Sequence, residues 1–276
     1  MKASVDYGSG RSLIVNADDF GQSHGVNQGV AIAHTNGIVT SASMMVRWPA
    51  VSEAVLWARG RQGFSLGLHL DLGEWRYDSI QFSWVPVYEV VPLDNPDLVS
   101  AEVRSQCDRF CELVGHGPTH IDSHQHVHLR EPVRTIVLEE AARLGVPVRS
   151  VASPACYCGA FYGQSAEGWP VPEAIQPAAL IALLENLPLG LTEFGCHPAS
   201  KADLSTMYRE ERIQELATLT DPAVKAAAKR LGIHLMPFPD PQKTPSQQVT
   251  TCETSLEPLA KEPSDSQSRK TSIPSH

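Results

Sequence analysis

The segment Ser12–Gly21 reads SLIVNADDFG, and its two halves decide what kind of chain this is. Leu13, Ile14 and Val15 form a short apolar run of the sort that fills a strand buried on both faces. Asn16 onward turns polar and ends on Gly21, so a first strand is expected over Ser12–Asn16. Asp18 and Asp19 stand at its exit. Adjacent residues leaving a strand point in different directions, so one carboxylate can hold a cation while the other handles protons. For an isolated pair, a helix cap beside an exposed acid accounts for the same letters.

Working outward, the alternation recurs along the chain. Further strands are expected at Ile38–Val46, Phe64–Leu70, Thr119–Asp122, Pro147–Val151, Leu191–Gly195 and Gly232–Met236. Amphipathic helices are expected near Val26–Thr35, Ala50–Arg59, Leu98–Val114, Pro177–Leu187, Tyr208–Leu219 and Pro222–Leu231. One more starts at Pro132 and stops before Gly145. Seven strands alternating with helices predict an α/β fold on a parallel sheet, with its chemistry at the C-terminal strand ends. The 276 residues suit one domain, since α/β barrels of roughly 200–250 residues are ordinary. From Pro237 the last forty residues hold seven prolines and seven serines without apolar periodicity. The domain is therefore expected over 1–237, with a disordered tail over 238–276.

A net charge of -9 argues against nucleic-acid or anionic-membrane partners, which select clustered Lys and Arg. The six cysteines are too scattered for a disulfide scaffold or a structural zinc site, so reduced thiols are expected. Met1–Arg11 lacks the apolar core of a signal peptide, and no window approaches the ~20 apolar residues of a membrane span. A soluble, cytoplasmic protein is the expectation.

Three other strand ends carry unusual polar residues. His69 interrupts the apolar run of GLHLDL, where a single histidine is more often a hydrogen-bonded core residue. His120–His128 reads HIDSHQHVH, four of the chain's eleven histidines in nine residues, with Asp122 among them. Imidazole is the commonest protein metal ligand, and a nearby carboxylate can fix a ligand ring's tautomer. His197 precedes Pro198, which holds it in an extended turn suited to proton transfer, although a plain loop histidine fits equally. Together these exits point to a metal hydrolase.

Five blocks in order, LIVNADDFG, NGIVTSAS, GLHLDL, THIDSHQHVH and CHP, resemble the signatures of the YdjC-like carbohydrate deacetylases. That family includes chito-oligosaccharide and hopanoid-pathway N-deacetylases, and the resemblance runs from about Ser12 to Leu235. It implies a distorted TIM-like (β/α) barrel that removes the N-acetyl group from an N-acetylglucosamine-containing oligosaccharide or glycolipid, releasing acetate. It implies one divalent metal ion, held by Asp19, His69 and His124. Mg²⁺ is the ion associated with the family; two imidazoles suit Zn²⁺ or another transition metal. Asp18 matches the general base and His197 the general acid. Gln125 stands where many relatives carry histidine, outside the matched ligands.

Asp122 and His128 are the expected supports of the ligand rings. Two aromatic excursions, Glu74–Pro96 with Trp75 and Ser153–Pro177 with Tyr162 and Trp169, follow strands on the active-site side. These rings are candidates for packing on sugar faces, or simply for covering the barrel mouth. The expected partner is a small-molecule or oligosaccharide substrate, with no nucleic acid and no membrane span. A barrel phosphoesterase or other amidohydrolase, and a catalytically silent sugar-binding protein, are the competing readings.

Overall fold

A computed structural model describes residues 10–240 of the chain. β1 (Arg11–Phe20) is buried at every position but its first, as its apolar run requires. After it come α1 (His24–Asn36), β2 (Ser41–Met44), α2 (Val51–Ala58), β3 (Ser65–Leu70), β4 (Gly73–Asp78), β5 (Ser83–Glu89), α3 (Pro96–Val114), β6 (Ile121–Ser123) and α4 (Val133–Leu144). The described residues end with β7 (Cys156–Cys158), α5 (Pro177–Glu185), β8 (Gly190–Cys196), α6 (Glu210–Leu219), α7 (Pro222–Arg230) and β9 (His234–Leu235).

Seven strands make one parallel sheet in the order β6-β3-β2-β1-β8-β7, with β9 also paired to β1. The Asn16 amide on β1 reaches Asp122 Oδ2 on β6, 3.4 Å away, although β2 and β3 lie between them in the sheet. The sheet is therefore curled, a half-barrel whose two sides meet across its interior. Between its edges, β6 and β7, Val148 supplies only an isolated bridge to Ile121.

Alternation along the strands sorts the side chains. Leu13, Val15 and Ala17 of β1, Ala42 and Met44 of β2, and Leu66, Leu68 and Leu70 of β3 join the main apolar core. The inward set is small or polar: Asn16, Ser41, Ser43, Ser65, His69 and Asp122 are all buried. Gly67 is needed here, because a Cβ would lie 2.4 Å from the His120 ring. At the foot of the interior, Ile14, Ala155, Leu191 and Phe238 form a small apolar plug, and Phe238 stacks on His120 at 3.9 Å between centroids. Phe238 lies one residue past the expected domain boundary. The tail from residue 241 onward falls outside the described residues.

Three expectations need correction. Pro147–Val151 is not a strand: Ser150 takes a left-handed φ of 62° and turns the chain after the single bridge at Val148. The missing strand is Cys156–Cys158, parallel to β8. The excursion after β3 contains the antiparallel hairpin β4–β5. Its period-two pattern was masked by Pro86, which a two-stranded ribbon tolerates because each strand is an edge. Finally, Cys107, Cys111, Cys158 and Cys196 are free thiols, but Cys156 is disulfide-bonded. Among the described residues no helix is long and apolar enough to cross a membrane.

Candidate metal centre and active site

The carboxylates at the end of β1 separate because the strand breaks its own alternation. Asp19 adopts φ 63°, in the left-handed region that Asp tolerates better than most residues, and pairing with β2 slips between Ala17 and Phe20. Asp18 and Asp19 are both buried, with different neighbours.

Asp19 Oδ1 is 3.1 Å from His69 Nε2 and 3.0 Å from His124 Nδ1. Asp19, His69 and His124 can each offer one ligand atom, all within 4.8 Å of one another. A second group, Asp18, His69 and Asp122, meets the same distance test. Its space is taken by Arg149, whose guanidinium bonds both acids. Arg149 Nη1 and Nη2 donate to Asp18 at 2.6 and 2.8 Å, Nη2 lies 2.7 Å from Asp122 Oδ2, and Nε donates to Glu193 at 2.6 Å. The first trio is thus the set whose chemistry fits a divalent cation: two imidazoles and one carboxylate whose guanidinium partner, Arg212, takes Oδ2 and leaves Oδ1 facing both rings.

Burial alone would raise the Asp18 carboxyl, but Arg149 outweighs it and holds it below the usual range. For Asp19, burial is likewise overcome, here by Arg212 and then His124, and its carboxyl sits well below the usual range. Arg212, on α6, donates to Asp19 Oδ2 at 2.6 Å. Burial would lower both imidazoles of the trio; instead Asp122 lifts His69 to about 10, and Asp19 lifts His124 to about 9. Burial dominates at Glu193 and pushes it up to about 7 despite Arg149.

Asp122 Oδ1 lies 2.8 Å from His69 Nδ1. His128 does not hydrogen-bond either imidazole of the trio. Its nitrogens face Ser123 Oγ at 2.7 Å and the Arg149 carbonyl at 3.1 Å, so it braces the segment carrying Arg149. His197 places Nε2 3.9 Å from Asp18 Oδ2 and Nδ1 3.7 Å from Glu215 Oε1, while its backbone N–H donates to Glu215.

Tyr162 joins this side, stacked on Tyr208 at 4.6 Å and 5.6 Å from the His197 ring. Trp75 is tied to the metal side through its main chain, which pairs with the side chain of Gln125. Trp169 stands apart, 59% exposed.

Sequence reasoning missed Arg149, Arg212, Glu215, Tyr208 and Glu74. A charged residue inside the apolar run PVRSV was a usable signal for Arg149. Tyr208, Arg212 and Glu215 recur at helical spacing, but on an amphipathic helix such residues read as a solvated face.

Comparison with known proteins places the chain in a family. The family model described as YdjC-like protein matches residues 12–230. The chain is 33% identical over 247 residues to a carbohydrate deacetylase of Geobacillus stearothermophilus, covering 83% of this chain and 97% of that one. It is 31% identical over 264 residues to a chitooligosaccharide deacetylase of Klebsiella pneumoniae (strain 342), covering 83% and 99%. Among solved structures, a candidate cellobiose-phosphate cleavage protein from Enterococcus faecalis V583 aligns with a TM-score of 0.65 at 26% identity, covering 83% of this chain and 98% of that one. The Bc1960 peptidoglycan N-acetylglucosamine deacetylase shares the fold, with a TM-score of 0.52 at 11% identity, covering 88% and 92%. A curled parallel sheet, a strand-end Asp/His cluster and a family match over most of the chain converge: this chain belongs to the YdjC-like protein family.

Proposed function

We propose that the protein is a divalent-metal-dependent carbohydrate deacetylase that hydrolyses the N-acetyl group of an N-acetylglucosamine unit in an oligosaccharide or glycolipid. The observation that carries the reading is the convergence of Asp19, His69 and His124 beside an Asp18–His197 pair 3.9 Å apart. The deacetylase names of two relatives that align over nearly their whole lengths support the bond and the substrate class.

Asp19, His69 and His124 would hold the ion, which when bound supplies Lewis acidity to the acetyl carbonyl and acidifies a neighbouring water. Asp18 takes the proton from the attacking water. Arg149 keeps that carboxylate ionised, and the Asn16 amide, donating at 2.9 Å, fixes its orientation. His197 Nε2 faces the same space and delivers a proton to the departing amine nitrogen. Glu215, at its Nδ1 side and on its backbone N–H, keeps the ring turned that way. Tyr162 and Tyr208 wall the His197 side, where a sugar ring could pack on an aromatic face.

The test is acetate release from N-acetylated chito-oligosaccharides and glycolipids, beside turnover of p-nitrophenyl phosphate, with and without chelator. Chelator-sensitive acetate release without phosphatase activity is expected. Phosphate release without acetate would replace this reading with a phosphoesterase, and sugar binding without turnover with a silent binding protein.

A further inference from the structure

The two imidazoles of the trio are held in parallel ways. His69 turns Nε2 to Asp19 at 3.1 Å and Nδ1 to Asp122 at 2.8 Å. His124 turns Nδ1 to Asp19 at 3.0 Å, and its Nε2 faces Glu74 Oε2 at 3.8 Å. Among the described residues, that Nε2 is buried without a hydrogen-bond partner. Glu74 is itself only 5% exposed, and a carboxylate in such a place is costly unless it has a charged or hydrogen-bonding partner.

Glu74 begins the β4–β5 hairpin, outside the parallel sheet, so something must press it against His124. The residue after His124 does this. Gln125, at φ 49°, accepts from the Trp75 N–H at 2.8 Å and donates to the Trp75 carbonyl at 2.7 Å. Its amide thereby imitates a strand neighbour. The hairpin ladder slips between Glu74 and Trp75, a bulge of the kind that re-aims a side chain and leaves main-chain groups for other partners. The returning strand is fastened separately, by Tyr88 Oη donating to the buried Asp71 at 2.8 Å.

We infer that Glu74 is a positioning residue for the metal centre, holding the outer nitrogen of His124, and that Gln125 seats it there by clamping Trp75. The inference rests on Asp19, His69 and His124 being the metal ligands. It makes the hairpin a working part of the centre: whatever moves the hairpin moves the carboxylate behind one ligand. Partners of this kind typically contribute 10–100-fold to metal affinity.

The experiment is chelator competition for Co²⁺ on the full chain, with the visible Co²⁺ spectrum and the melting temperature recorded for every variant. Glu74→Gln keeps the shape and removes the charge; it is expected to weaken Co²⁺ about 10- to 100-fold and shift the spectrum without lowering the melting temperature. Gln125→Met, at an exposed site, keeps length but loses the clamp and is expected to weaken Co²⁺ several-fold. Because Gln125 acts through Glu74, the double variant should bind no more weakly than Glu74→Gln alone. Gln125→Glu, which retains the acceptor for the Trp75 N–H, should recover part of the loss. Wild-type affinity and spectrum in Glu74→Gln, or a Gln125→Met loss that persists undiminished in the Glu74→Gln background, would overturn the inference while leaving the trio intact. A wild-type chain that binds no Co²⁺ would overturn the trio and the inference together. Failure of acetate release with Co²⁺ affinities as expected would count against the deacetylase reading alone.

Discussion

Asp18, Asp19, His69 and Asp122 come from parallel strands and are gripped on several sides, whereas His197 leans on residues borrowed from α6 and the loop before it. On the strand side, Ser43 Oγ bridges toward His69 and Asp122 at 3.2 and 2.8 Å, and Arg149 ties three carboxylates together. On the helix side, Glu215 and Tyr208 hold one imidazole, whose buried Nδ1 has no hydrogen-bond partner among the described residues. The difference teaches where rigidity is needed. On the proposed function, metal ligands must converge before the cation arrives, while a residue that delivers a proton has to approach and withdraw.

Breaking the two halves separately should give different signatures. Asp18→Asn and His197→Ala are each expected to lower kcat by about 10²–10⁴-fold, with metal content kept in both. If His197→Ala leaves kcat intact, the helix-side half has no part in the chemistry. Arg149→Met leaves Asp18, Asp122 and Glu193 buried around an apolar side chain. Removing one partner of a buried ion cluster costs about 3–5 kcal/mol, read as a large drop in urea midpoint or melting temperature. A wild-type midpoint would mean that the strand-side half is not held by its charges.

Metal affinity should depend on pH through the strand side. His69 near 10 and His124 near 9 are protonated at neutrality, and a cation must displace those protons. Affinity should therefore climb as pH rises toward 9, by about tenfold or more per pH unit; a flat dependence between pH 6.5 and 8.5 would contradict that protonation. The smallest effect is expected at Glu215→Gln, about tenfold in kcat with KM and metal content unchanged. A change in metal content instead would show the two halves to be one unit.

The same division explains what could be read from the letters. Strand-borne residues announce themselves: His69 breaks an apolar run, Asp18 and Asp19 close one, and four histidines cluster after another. The parallel sheet and six of its seven strands were legible for the same reason, because an apolar run flanked by glycine or proline has few other uses; Cys156–Cys158 was not. The counter-ions were not. Arg149 lies in a run that imitates a strand until Ser150 turns it, and Arg212 and Glu215 belong to a helix whose charges could as well have faced water. Asp19 lies 193 residues from Arg212, and His197, although only 18 residues before Glu215, follows a different element, so only the fold reveals the pairing. Glu74 stayed hidden because the hairpin that carries it pairs locally and leaves no mark on the strand–helix alternation.

The most direct measurement is the divalent-metal content of the purified wild-type chain and of His124→Ala, by elemental analysis after exhaustive dialysis, with folding checked by circular dichroism. One ion per wild-type chain, and a folded His124→Ala chain carrying little or none, is the expected result. A folded His124→Ala chain with full occupancy would show that Asp19, His69 and His124 are not the metal centre.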